Sequence, residues 1–177
     1  YRYIMSGSLL GVELGSRRTV NNNYMDIKDM YPLDLEEFMW AVGVNENVIL
    51  KLKESWTNNV PVDEFIHNKM MDVFRLYLIV GGMPAAVMSY KDNNNLQDVM
   101  ASQREIIKLY RKDISQYDTQ RQLRIKEVFD LIPSELNSKT KRFFIKSINE
   151  KARAEVYKNE FLWLKDAGVA IPVFNIE

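Results

Sequence analysis

The stretch PVDEFIHNKMMDVFRLYLIVGGMP, residues 61–84, decides the fold. Its apolar residues Phe65, Ile66, Met70, Val73, Phe74, Tyr77 and Val80 recur three and four apart, the spacing of one helix face. Pro61 is expected to begin a helix. Asp63 and Glu64 stand near its start, where the helix dipole favours acids. Val60-Pro61-Val62-Asp63-Glu64 nearly imitates an apolar strand ending in magnesium-holding acids, but a proline is poor in a central strand. Gly81-Gly82 stops the helix and Pro84 starts another, so Gly81-Gly82-Met83-Pro84 reads as a tight corner or a hinge.

Working outward, most of the chain shows the same period. Asp34 predicts an N-cap for a short helix, Leu35 to Ala41, with Glu36 and Glu37 in its first turn and Gly43 closing it. Asn45 to Trp56 reads as a helix, and Pro84 to about Tyr90 as another. After the polar loop Asp92 to Asn95 comes a long helix to Tyr117, carrying Val99, Ile106, Ile107, Tyr110, Ile114 and Tyr117. Arg121 to Ile132 is expected to end at Pro133, with a linker over 134–138. Lys141 to Asn149 and Ala154 to Ala167 are expected to form a helix pair. Gly168 then caps the second helix, and Val169 to Phe174 reads as a strand. Helix, helix, strand is the order of a winged helix-turn-helix. Two further strands are expected at Tyr1 to Ser8 and at Tyr24 to Tyr31.

Composition narrows the function. The 177 residues suit one domain or two small ones. Lys plus Arg and Asp plus Glu are both 24, so a strongly basic nucleic-acid surface is not expected of the chain as a whole, although a local patch is compatible with it. The chain has no cysteine, which excludes a disulfide framework, a thiolate metal site and a cysteine nucleophile. With His67 as its only histidine, a histidine metal site or a serine triad is not expected. No apolar run approaches the roughly 18 residues of a membrane span, and the default expectation is a cytoplasmic protein.

A few residues could carry chemistry. Ser6-Gly7-Ser8 follows an apolar run, and hydroxyls at the carboxyl edge of a sheet can position a water or sense a phosphate; equally, they can bond the local backbone in a tight turn. Arg17 and Arg18 lie in a glycine-flanked loop, where an arginine could reach a phosphate or simply meet solvent. The phosphate-cradling pattern GxxxxGK[ST] is absent, since no glycine precedes a lysine. Arg111 and Asp113, two apart on a helix, do not face each other and are expected to make separate solvent or interdomain contacts. The last helix carries Arg153, Lys158 and Lys165 but also Glu155, Glu160 and Asp166. With Phe161 to Leu164 clustered on it, it reads as a packing element rather than a DNA reader.

The order of these motifs resembles one prokaryotic family. Ile4-Met5-Ser6-Gly7-Ser8, an arginine-bearing loop and Asp26-Ile27-Lys28-Asp29-Met30-Tyr31-Pro32-Leu33-Asp34-Leu35-Glu36-Glu37-Phe38 are similar to the AAA-like P-loop ATPases of the archaeal-type, STAND-related branch. Gly81-Gly82-Met83-Pro84, Leu109 to Ile114, Ile132 to Asn137 and Phe161 to Gly168 resemble later signatures of that family and of the domain that follows its ATPase core. One departure is clear: where the family carries a Ser-Phe-Pro-Val-Gly stretch, this chain reads Thr19-Val20-Asn21-Asn22-Asn23, which weakens the case for Arg17 and Arg18.

The resemblance implies a mainly α fold with a few strands: the remnant of an α/β P-loop ATPase sheet (1–43), a lid-like helical region (44–95), and a helical domain with a winged-helix-like end (96–177). It implies a middle slice of a longer ATPase, with Ser6 as the sensor hydroxyl, Ser8 beside it at the nucleotide, and Arg17 or Arg18 reaching phosphate. ATP and Mg would be cofactors of the parent protein, and the slice alone would not hydrolyse ATP. Its partners would be the missing N-terminal ATPase segment and a second copy or another protein, with no membrane. The first thirty or so residues would then be poorly packed alone. Two other readings stand beside it: a helical protein-interaction module, and a small winged-helix DNA-binding regulator.

Overall fold

The computed structural model describes residues 3, 4, 7, 28, 30–115 and 119–173. These residues are mainly helical and contain no strand. The seven α-helices among them are α1 (Leu35–Ala41), α2 (Glu46–Thr57), α3 (Glu64–Val80), α4 (Pro84–Asn93), α5 (Leu96–Ile114), α6 (Thr119–Asn137) and α7 (Ala154–Asp166), with one 3₁₀ turn at Ile145–Ser147. Most of the two N-terminal strand segments, together with Tyr117 and Phe174, lies outside the described residues.

Local signals account for the helix ends. Asp34 accepts the Glu37 N–H at 2.9 Å while Glu37 accepts the Asp34 N–H at 3.0 Å, a reciprocal capping box at the start of α1. Asn45 accepts from Asn47 N–H to open α2. Asp63 accepts from Phe65 and Ile66 to open α3, so Asp63 and Glu64 are helix-starting residues, and Pro61 lies just outside. Three helices end in the same double hydrogen bond. In α1, Gly43 N–H reaches Trp40 and Val44 N–H reaches Met39. In α2, Asn59 reaches Trp56 and Val60 reaches Ser55. In α7, Gly168 reaches Lys165 and Val169 reaches Leu164.

The chain divides within α5 into two compact units, Met30–Leu109 and one built from residue 110 onward. In the first, α1 packs on α3 and α4, and α3 packs on α4. Its core is Phe38, Val80, Ala86, Val87 and Val99, with Leu33, Val73 and Tyr77 against it. In the second, α7 packs on α6, and Ile114, Ile125, Val128, Tyr157, Trp163, Leu164 and Ala167 form the core. The α5 helix therefore supplies Val99 to one core and Ile114 to the other.

Three expectations are corrected in the second unit. Pro133 does not end α6, which runs on to Asn137 through the predicted linker. Proline costs the helix its own N–H bond to the Phe129 carbonyl, while Phe129 and Ile132 just before it pack on the core and the Ser134 hydroxyl donates to the Leu131 carbonyl at 2.8 Å, so packing carries the helix past it. The segment 141–149 is not an α-helix: Lys141 has φ +55, and Phe143, Ile145 and Ile148 all pack on the core from a spacing that no single helix face provides. Residues 169–173 are irregular rather than a strand, because the Val169 and Ala170 N–H groups both bond the Leu164 carbonyl as part of the α7 cap.

Candidate functional site

The residues singled out from sequence for phosphate chemistry, Ser6, Ser8, Arg17 and Arg18, lie outside the described residues. Among the described residues no group of three or more His, Asp or Glu could hold a metal ion. What the structure does bring together is a motif junction in the first unit and a buried polar cluster in the second.

The junction joins Pro32-Leu33-Asp34 to Gly81-Gly82-Met83-Pro84. Leu33 N–H donates to the Gly82 carbonyl at 2.8 Å, and the Tyr77 hydroxyl donates to the Leu33 carbonyl at 2.8 Å. The Tyr77 ring also lies 5.2 Å from that of Phe38 on α1. Both glycines are required. Gly81 stands at φ 76, ψ −177, a region that only glycine enters freely, and a methyl on Gly82 would lie 2.1 Å from the Leu33 oxygen. From α5, Gln103 Nε2 donates to the carbonyls of Ile79 and Val80 at 2.8 and 3.1 Å, satisfying the end of α3. The corner is thus held from three sides.

The second unit holds its charges between α6 and α7. Arg124 Nε donates to Glu160 Oε1 at 2.9 Å, and the Glu160 side chain is only 2% exposed. Its other oxygen, Oε2, is buried without a hydrogen-bond partner among the described residues. One turn away, the Tyr157 hydroxyl donates to Glu127 Oε2 at 3.0 Å. Burial, and then the hydrogen bond to Glu127, push the Tyr157 pKa up. Arg111 does not act alone either: it pairs with Asp130 of α6 at 2.8 Å.

Sequence reading listed Glu160 only as one acid of a mixed-sign packing helix and gave it no partner. The signal for its burial was present, since Tyr157, Glu160, Trp163, Leu164 and Ala167 recur at three-and-four spacing and all are buried. A carboxylate sealed against a single guanidinium has no open face for a substrate. Its chemistry is positional: only one register of α6 on α7 brings Arg124 to Glu160.

Residues 71–177 match a family model described as "Domain of unknown function (DUF8612)". The chain belongs to the DUF8612 family. The DUF8612 region begins inside α3, includes the Gly81-Gly82 corner and takes in α4 through α7 with the Arg124–Glu160 pair. No curated protein and no solved structure matches the chain.

Proposed function

We propose that this chain is part of an AAA-like P-loop ATPase that works as a nucleotide-driven switch or motor. The observation that supports this reading is the junction just described. Pro32-Leu33 and Gly81-Gly82, two stretches that resemble signatures of that family, are far apart in sequence yet hydrogen-bonded and in van der Waals contact. In this reading the few strands of the ATPase sheet fall in 1–43, and the helices from α2 onward are the lid-like region and the domain that follows. Ser6 would sense the γ-phosphate, Ser8 would sit beside it, and Arg17 or Arg18 would touch phosphate. Upstream segments would supply the phosphate cradle and the magnesium-holding acids. A sensor without that electrostatic cradle does not lower the barrier, so the chain alone would bind no ATP productively.

The test begins with the coding DNA upstream of the Tyr1 codon and continues with the protein of the whole reading frame. The proposal expects an upstream GxxxxGK[ST] loop, ATP binding, and a Ser6→Ala variant that binds ATP but hydrolyses it at least tenfold more slowly. If no such loop is encoded and no ATP is bound, the proposal fails.

A second reading is favoured by a different observation. Trp56, Phe65 and Leu78 are 88%, 69% and 66% exposed, as a helical protein-interaction module would have them. That module becomes the better account if the ATP test fails.

A further inference from the structure

The chain is neutral overall, yet its positive charge is not evenly spread. Between residues 139 and 153 stand Lys139, Lys141, Arg142, Lys146, Lys151 and Arg153, with Glu150 as the only acid. All six cations are exposed, and among the described residues none makes an ion pair. One further carboxylate reaches the segment: Glu135 Oε2 accepts the Phe144 N–H at 2.9 Å, so its charge, with that of Glu150, offsets two of the six cations.

Packing sorts the segment into two sides. Phe143, Ile145, Ile148 and Ala152 turn inward onto the core of the second unit. The six cations and the half-exposed Phe144 are left to solvent. The backbone that carries them is mostly irregular, broken by the turn at Lys141 and one 3₁₀ turn, so the charges do not form the single stripe of an amphipathic membrane helix. Like charges without ion pairs, crowded into one short segment, repel one another. A polyanion relieves that repulsion and gains entropy from the counterions it releases.

We propose that this basic face, residues 139–153, binds the phosphate backbone of nucleic acid without reading its sequence. The surface differs from the α7 helix that the winged-helix order would nominate, because α7 carries its cations together with acids and spends its apolar side on the core. The segment offers no α-helix or β-ribbon that could enter a groove, which favours backbone contact over base recognition. The inference does not depend on the ATPase reading.

The experiment is fluorescence anisotropy of the 177-residue chain with a labelled 20-base-pair duplex, from 50 to 200 mM salt, with vesicles of anionic phospholipid as competitor. Binding is expected in the range of about 10⁻⁶ to 10⁻⁴ M at physiological salt. The variant Lys141→Ala/Arg142→Ala/Lys146→Ala alters only exposed side chains and should fold, as checked by circular dichroism. It should bind roughly 100-fold more weakly at 50 mM salt, and its salt slope should fall by about three. A control, Lys51→Ala/Lys91→Ala, changes exposed lysines of the other unit and should bind like the parent chain. The proposal is overturned if no duplex binds at 50 mM salt, if the triple variant binds as the parent does, or if vesicles are bound in preference to the duplex.

Discussion

Arg124 of α6 donates its Nε–H to Glu160 of α7 at 2.9 Å, pairing a side chain that is 30% exposed with a carboxylate that is 2% exposed. Removing one partner of such a pair strands the other. Arg124→Met should therefore destabilise the chain by about 2–3 kcal/mol, below the ~3–5 kcal/mol of fully buried pairs because solvent already screens Arg124. The double variant Arg124→Met/Glu160→Leu should recover most of that loss, since neither charge is then left buried. Urea unfolding of the single and double variants checks both statements; equal stability of Arg124→Met and the parent would show the pair to be immaterial.

The corner at Gly81-Gly82 makes a sharper prediction. Gly82→Ala places a methyl 2.1 Å from a backbone oxygen that cannot move without breaking the Tyr77 hydrogen bond. A cost of about 3 kcal/mol is expected, at the upper end for overpacking. Gly81→Ala meets no neighbour and should cost about 1–2 kcal/mol from backbone strain alone. Tyr77→Phe should cost about 1 kcal/mol for the lost hydrogen bond. Chemical denaturation would give the order Gly82 first; a Gly82→Ala chain as stable as the parent would contradict the close approach.

Tyr157 links stability to alkaline pH. Its folded-state pKa is raised above the ordinary value of 10.0, so the folded state holds the phenolic proton more tightly than the unfolded chain. Its contribution is fully present below pH 10 and is lost as pH rises through the folded value. Stability of the parent should thus fall more steeply above pH 10 than that of Tyr157→Phe. Denaturant midpoints of both proteins between pH 8 and 11 would show whether their difference changes with pH; a constant difference would remove Tyr157 as the cause.

Pro133 sits inside α6, where it lacks a donor for the carbonyl of Phe129. Pro133→Ala restores that donor and should raise stability by about 1 kcal/mol, well short of the ~3 kcal/mol that separates the two residues in an unadapted helix, because the surroundings already accommodate proline. Thermal unfolding followed at 222 nm is the check, with a lower midpoint as the contrary outcome.

Local signals proved legible wherever they acted over one helical turn. Asp34 with Glu37, Asp63 at the head of α3, and Gly168 at the end of α7 form bonds among residues within five positions of each other, so the chain carries the whole instruction in a few letters. Pro133 misled because its rule is also local, whereas the turn that tolerates it has the Ser134 hydroxyl bonded to Leu131 and packs on the core through Phe129 and Ile132. The segment 141–149 misled for the opposite reason: its apolar residues obey the core they cover rather than a helical period.

By itself the sequence determined a mainly helical chain, the acids that begin α1 and α3, the glycines that end α1 and α7, and the glycine pair at the corner. Only the tertiary structure decided that Leu33 rests on Gly82, that Glu160 is buried against Arg124, and that Phe143, Ile145 and Ile148 pack on the core while the cations around them stay exposed. The physical reason is distance along the chain. A cap is paid for by neighbours, but a partner 36 residues away, as Glu160 is from Arg124, is chosen by which faces pack once the helices already exist.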